Sequence, residues 1–248
     1  AILAYKHDAD FEDVRCFQDI KKYQDKNWID GDLVVCFMIA RAVDVLLNII
    51  TDFYNSLIEK GEKLNVGEIA YFNAMSRLRE SFKSVLILCD RGFFIEMMPI
   101  LRLIYEQLCW ACYSIDESDS EKLNQNWKTK NTKYLKEKIN PEYGKLYSVL
   151  SSESHMAIPE MGKYLEFDEK NMVVSVKGRS AKKAKEDIPY IILLYQIFLD
   201  VFKYGIKHFK DCDKKYYQEL VDGQVLLMEL MKKVHEGKEN DFSFMERV

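Results

Sequence analysis

Apolar residues recur at three- and four-residue spacing along most of the chain, in stretches too long for strands and parted by short polar breaks, so the pattern predicts helix after helix. The first long one runs through LVVCFMIARAVDVLLNIITDFYNSLIEK, with Asp30 or Asp32 as its cap and Gly61 closing it. Asn65 opens a second, VGEIAYFNAMSRLRESFKSVLILCDR, which ends at Gly92. A third starts near Phe93 and reaches about Ile115, with Pro99 either kinking it or marking its first turn. Ser118 and Glu121 form the S-x-x-E capping box of a polar, lysine-rich helix through Ile139, and Asn140-Pro141 starts another towards His155. The stretch YLEFDEKNMVVSVKG instead alternates around a polar turn, which predicts a small β-hairpin at about 164–178. Helices at about Ile188–Phe209 and Lys214–His235 complete the pattern. The expected fold class is all-α: a bundle of about seven or eight helices with a β-hairpin insertion, in one domain over residues 1–248. Residues 1–29 read as a loosely packed N-terminal segment and 237–248 as a polar tail.

Composition adds limits. With 48% hydrophobic and 31% charged residues in 248, the chain can build one large core. Six cysteines at irregular spacing, most of them inside apolar runs, read as reduced, buried thiols, which points to a cytoplasmic setting. No signal-peptide pattern opens the chain, and a first residue other than methionine leaves its native start open. Arg41, Asp44, Gln196 and Asp200 interrupt the longest apolar runs, so no membrane span is expected. The net charge of −4 requires any nucleic-acid contact to come from a local patch.

Candidate chemistry begins in MMPILRLIYEQLCWACYSI, residues 97–115, where Arg102 and Glu106 lie four apart on one helix face among apolar neighbours. The pair is expected to be desolvated. A desolvated ion pair is often no better than apolar packing, so it calls for further hydrogen bonds or a use, although a buried strut between helices is the plainer reading. The candidate partner is LYSVLSSESHMAIPE, where Ser151 precedes His155 by one turn at the end of an apolar-faced helix. His155 would exchange protons, Glu106 would orient it, and Arg102 would hold a phosphate or carboxylate. Arg41, Asp44 and Asn48, and likewise Gln196, Asp200 and Lys203 or Tyr204, share helix faces that either line the same polar pocket or mark the edge of the buried stripe. Cys109 and Cys112 form a C-x-x-C inside an apolar helix without a second ligand pair, and no phosphate loop or dinucleotide fingerprint occurs, so neither metal nor cofactor is expected.

LRLIYE followed by YSVLSSESH resembles a bacterial all-helical family of unknown function with an R-x-x-x-E helix and a later Y-x-x-x-S-x-x-x-H element, itself similar to the HEPN superfamily of ribonucleases and nucleotide-binding bundles. The resemblance covers about residues 65–210 and implies roles for Arg102, Glu106, Tyr147, Ser151 and His155. It departs from the HEPN signature of arginine, four to six residues and histidine. The nearest echo is KYGIKH, with Lys203 and His208 as the paired positions.

Two basic stretches complete the candidates. Lys128, Lys130 and Lys133, with Trp127 and Tyr134 interleaved, and Arg179 and Lys182 after the hairpin would form a nucleic-acid rim, if they are not simply solvated faces. The sequence therefore points first to a defence- or stress-associated protein of toxin or phage-defence type. Its site of Arg102, Glu106, Ser151 and His155 would bind or act on a phosphorylated ligand, a nucleotide or RNA, as a ribonuclease or phosphate-ester hydrolase. The alternatives are a non-catalytic sensor or antitoxin-like bundle and a purely structural polar core. A protein encoded beside it or a second copy of the chain are the candidate macromolecular partners.

Overall fold

The computed structural model describes residues 30–91, 93–126, 132–154, 165–168, 173–176 and 181–209, together with 218, 221, 222 and 225. The described part is an all-α bundle. Helix α1 spans Asp30–Glu59 and ends in Gly61, whose φ of 74° suits glycine. Gly61 N–H donates to the Ile58 carbonyl (2.9 Å) and Glu62 N–H to that of Leu57 (3.0 Å), a Schellman closure. Helix α2, Val66–Arg91, starts as its sequence predicts. Asn65 Oδ1 accepts from the backbone N–H of Gly67 (2.9 Å) and Glu68 (3.0 Å), while Glu68 Oε2 accepts from Asn65 N–H (2.8 Å). Arg79 joins it to α1: its Nε lies 2.9 Å from Asp44 Oδ1, Lys83 approaches the same oxygen at 3.6 Å, and Arg79 Nη2 donates to Asn48. This polar set on α1 is thus a clamp to α2; the Arg41 side chain lies outside the description.

Helix α3, Phe94–Ser114, is the centre of the bundle, continuous through Pro99. Leu101, Ile104, Tyr105, Leu108, Cys109, Ala111 and Cys112 are all sealed from solvent. Each large apolar side chain so buried contributes roughly 1.5–3 kcal/mol. Gln107 accepts a buried hydrogen bond from Ser81 of α2 (3.2 Å). The two helices run antiparallel and touch closely at one end, where a Cβ on Gly67 would fall 2.2 Å from the Ser114 carbonyl oxygen and 1.9 Å from that of Glu117.

The next segment departs from expectation. Helix α4 covers only Ser120–Asn126, and its cap is Asp119, whose Oδ1 accepts from Glu121 N–H (2.8 Å), in place of Ser118. Asp119 wins because a carboxylate is the stronger acceptor at a helix N-terminus. The expected run to Ile139 appears as a short α5, Thr132–Tyr134, leading into a π-helical turn, Leu135–Ile139, closed by Asn140 N–H on the Leu135 carbonyl (2.9 Å). Asn140 Oδ1 then accepts from Glu142 N–H (3.0 Å) ahead of α6, Tyr143–Ser154.

Two short strands, β1 (Leu165–Asp168) and β2 (Val173–Val176), pair antiparallel with Leu165 opposite Val176. Helix α7, Ala181–His208, begins seven residues before the expected Ile188 and passes through Pro189. AKKAKED lacks an apolar period, but alanine, lysine and glutamate favour helix by propensity alone. Its stretch Asp187–His208 is long and apolar enough to cross a bilayer; here most of it is packed inside the protein, with Leu194, Tyr195, Ile197, Phe198 and Leu199 fully buried. The expected last helix, about 214–235, falls mainly outside the described residues, as do the N-terminal segment 1–29 and the tail.

Candidate functional site

Helix α6 lies against α3, fixed by Tyr105, whose hydroxyl donates to the Tyr143 carbonyl (3.0 Å) and whose ring meets that of Tyr147 (5.4 Å between centroids). That docking brings Tyr147 to the Arg102–Glu106 pair. Arg102 Nε donates to Glu106 Oε1 (2.9 Å), Arg102 Nη2 to the Tyr147 hydroxyl (3.3 Å), and that hydroxyl to Glu106 Oε1 (3.5 Å). The guanidinium also stands 5.6 Å from the Tyr147 ring centroid. Partial burial works against the Arg102 charge, but the hydrogen bond to Glu106 and the pull of Tyr147 and Glu106 outweigh it, so its pKa rises above the ordinary value.

The pair is not desolvated, contrary to the sequence expectation. The Arg102 and Glu106 side chains are 27% and 39% exposed. They sit where α3 turns from the core to its open side. Of the three residues between them, Ile104 and Tyr105 are buried but Leu103 is 38% exposed, which an apolar flanking sequence does not reveal. Ser151 follows Tyr147 by one turn on the same face of α6 and makes no side-chain hydrogen bond among the described residues. His155 lies outside the described residues.

The other candidates stand elsewhere. His208, in the last turn of α7, has Nε2 3.1 Å from Glu68 Oε1, the carboxylate of the α2 cap. Since α2 begins against Ser114, twelve residues beyond Arg102, this contact is displaced from the ion pair by about 18 Å along α3. Lys203 lies five residues before it, between Asp200 and Tyr204 in sequence. Tyr204 donates to Asp116 just past α3 (2.7 Å), so Lys203 belongs to that end too. Lys133 is exposed and stands 5.4 Å from the Tyr134 ring, which packs on Tyr113, eleven residues past Arg102. Lys128, Lys130 and Arg179 lie outside the described residues, and Lys182 falls in the first turn of α7. The described lysines nearby are largely met by acids: Lys138 with Asp116 (3.3 Å), Lys122 with Glu117 (3.8 Å), and Lys145 with Glu142. Those three offer phosphate little unopposed charge, while the exposed Lys133 and Lys136 have no acid partner among the described residues.

A second polar node joins α6 to α7. Tyr143 donates a short hydrogen bond to Asp200, which also accepts from Gln196 Nε2 (3.2 Å). Burial first, then the Asp200 bond, pushes the Tyr143 hydroxyl well up. Tyr143 was not among the sequence candidates; the four-residue spacing Tyr143, Tyr147, Ser151 is the signal that carries it. Cys109 and Cys112 are free, buried thiols, as their apolar setting predicts, with the Cys112 thiol pushed up to about 12, chiefly by burial.

Comparison with known proteins finds one family. Residues 68–125 match the family of unknown function DUF5677. The matched span holds α2 from Glu68 onward, all of α3 and most of α4, including Arg102 and Glu106, and stops short of Tyr147. It agrees with a resemblance to an uncharacterised family. No curated protein and no solved structure matches the chain.

Proposed function

We propose that Arg102, Glu106 and Tyr147 form the anion-recognising wall of a site that binds or acts on a phosphorylated ligand. Ser151 and His155, from α6 and the chain just after it, complete the site. The protein in this reading is bacterial, defence- or stress-associated and distantly HEPN-like, with the two strands forming a hairpin insertion at about 164–178. The observation that carries the reading is the setting of the ion pair. At that exposure an ion pair adds only about 0–1 kcal/mol to stability, which is little for a strut, whereas a guanidinium pinned from a second helix by Tyr147 and kept at the solvent boundary stays within reach of an anion. Arg102 acts as the anion clamp, and His155 as general acid or base. The paired lysines around α4 and the π-turn favour a small phosphate ester over a long RNA tract.

The test combines binding, growth and stability. Calorimetric titration with inorganic phosphate and a short single-stranded RNA is expected to show binding that Arg102→Ala removes, with a melting temperature lowered by only about 2–4 °C per kcal/mol lost. Growth inhibition on expression, or cleavage of the RNA, is expected to disappear in His155→Ala. Binding without turnover or toxicity would make the protein a sensor-like or antitoxin-like bundle. Unchanged binding with lowered stability in Arg102→Ala would reduce the pair to a structural strut.

A further inference from the structure

The outer side of α3 carries a feature the ion pair does not explain. Pro99, Leu103, Glu106 and Trp110 follow one another at spacings of three or four residues and so share one side of the helix. Pro99 and Leu103 are exposed and Trp110 is partly so, which lays an apolar strip beside the Arg102–Glu106 pair. Trp110 packs against Tyr113 at 5.6 Å, and its indole N–H donates to no group among the described residues. Glu106 is divided in its bonding. Both Arg102 Nε and the Tyr147 hydroxyl donate to Oε1, and Oε2 accepts from no group among the described residues.

We infer that the ligand is a ribonucleoside 5′-phosphate, a reading that rests on the phosphorylated-ligand site proposed above. Trp110, Glu106 and Arg102 stand one turn apart, a rise of about 6 Å per step along α3, which is the order of the base-to-ribose and ribose-to-phosphate steps of a nucleotide. Trp110 offers a flat apolar seat for the base, and Leu103 lies beside Arg102 at the phosphate end. Glu106 Oε2, an acceptor only, suits the two donors of a ribose 2′,3′-diol. Arg102, held by Nε on Glu106 and by Nη2 on Tyr147, presents its charge to the phosphate from a fixed position. Inorganic phosphate would leave the apolar strip uncovered. A 2′-deoxynucleotide would bring one diol donor fewer to Glu106.

The measurement is calorimetric titration of the whole chain with AMP, CMP, GMP and UMP, their 2′-deoxy counterparts, and inorganic phosphate. At least one ribonucleotide is expected to bind about tenfold or more tightly than both its deoxy form and inorganic phosphate. That ratio is read on the unmodified protein and needs no variant to fold. Glu106→Gln, which keeps an acceptor for Arg102 and Tyr147, is expected to bring the ribo-to-deoxy ratio close to one. Trp110→Leu is expected to weaken nucleotide binding and leave phosphate binding unchanged. Equal affinity for ribo and deoxy forms, or for nucleotide and phosphate, overturns the inference while an Arg102-dependent phosphate site survives. If no phosphorylated probe binds the unmodified protein, both readings fall.

Discussion

Replacing Tyr147 by phenylalanine removes one oxygen and leaves the ring against Tyr105, so it isolates the hydroxyl that joins α6 to the ion pair. A hydrogen bond of this kind, with charged partners on both sides, is worth about 1–3 kcal/mol. Tyr147→Phe is therefore expected to lower unfolding free energy by an amount in the lower half of that range, given how open the pair is, as read from urea denaturation midpoints. It is also expected to weaken phosphate binding, because Arg102 loses one of its anchors. No change in either quantity would mean the hydroxyl contributes nothing to positioning. The pairing of Arg102 with Glu106 was legible because four residues on a helix fix proximity whatever surrounds them. Its exposure was not, since whether an apolar flank faces core or solvent depends on where the neighbouring helices stop. The far-off placement of Lys203 and His208 has the same origin: a motif echo carries spacing along one chain segment and no information about which end of the bundle that segment reaches.

Helix α2 shows how local signals and close packing meet. Asn65 and Glu68 write the start of the helix into the sequence, and Asn65→Ala is expected to cost about 1 kcal/mol through the lost cap. Gly67, two residues on, has no such local signature; it is needed because the carbonyls of Ser114 and Glu117 occupy the space a side chain would take. Gly67→Ala is therefore expected to destabilise more than Asn65→Ala, although alanine has the higher helix propensity, and chemical denaturation of the two variants side by side checks the order. Helices with a clear apolar period, α2 and α3, were legible to within about a residue at each end, as was the C-terminal end of α1; α1 itself begins at Asp30, up to three residues before its expected start. The lysine-rich start of α7 and the break after Asn126 were not, because in both places propensity, capping and tertiary contact decide the outcome and apolar periodicity is absent.

Around α3 the molecule keeps an unusual number of acidic protons away from water. Burial raises the thiols of Cys109 and Cys112 and the hydroxyls of Tyr105, Tyr143 and Tyr195. A group whose folded pKa lies above its unfolded value holds its proton longer in the folded state, so its stabilising effect is complete below the unfolded value and is lost as pH rises towards the folded one. For Cys112 that window opens near 9 and closes at about 12, with a slope of up to about 1.4 kcal/mol per pH unit for each such group. Unfolding free energy is expected to be flat from pH 7 to 8 and to fall steeply above about 9, and the same thiols should resist a maleimide at pH 8 until urea unfolds the protein. A stability curve that stays level to pH 11 would contradict this. The all-α class was legible because the whole core is built from one kind of period; the node of Tyr143, Asp200 and Gln196 was not, since it joins residues from helices that only the tertiary fold makes neighbours.

Pro99 has an effect in time as well as in space. Lacking an N–H, it leaves the Ile95 carbonyl without its helical partner, about two turns before Arg102. Amide exchange is therefore expected to run faster over residues 95–103 than over the buried stretch that follows, giving the wall of the proposed site a local opening rate of its own. A ligand seated on Arg102 and Leu103 would then be felt first as slowed exchange in that turn, well before any change in the melting of the bundle.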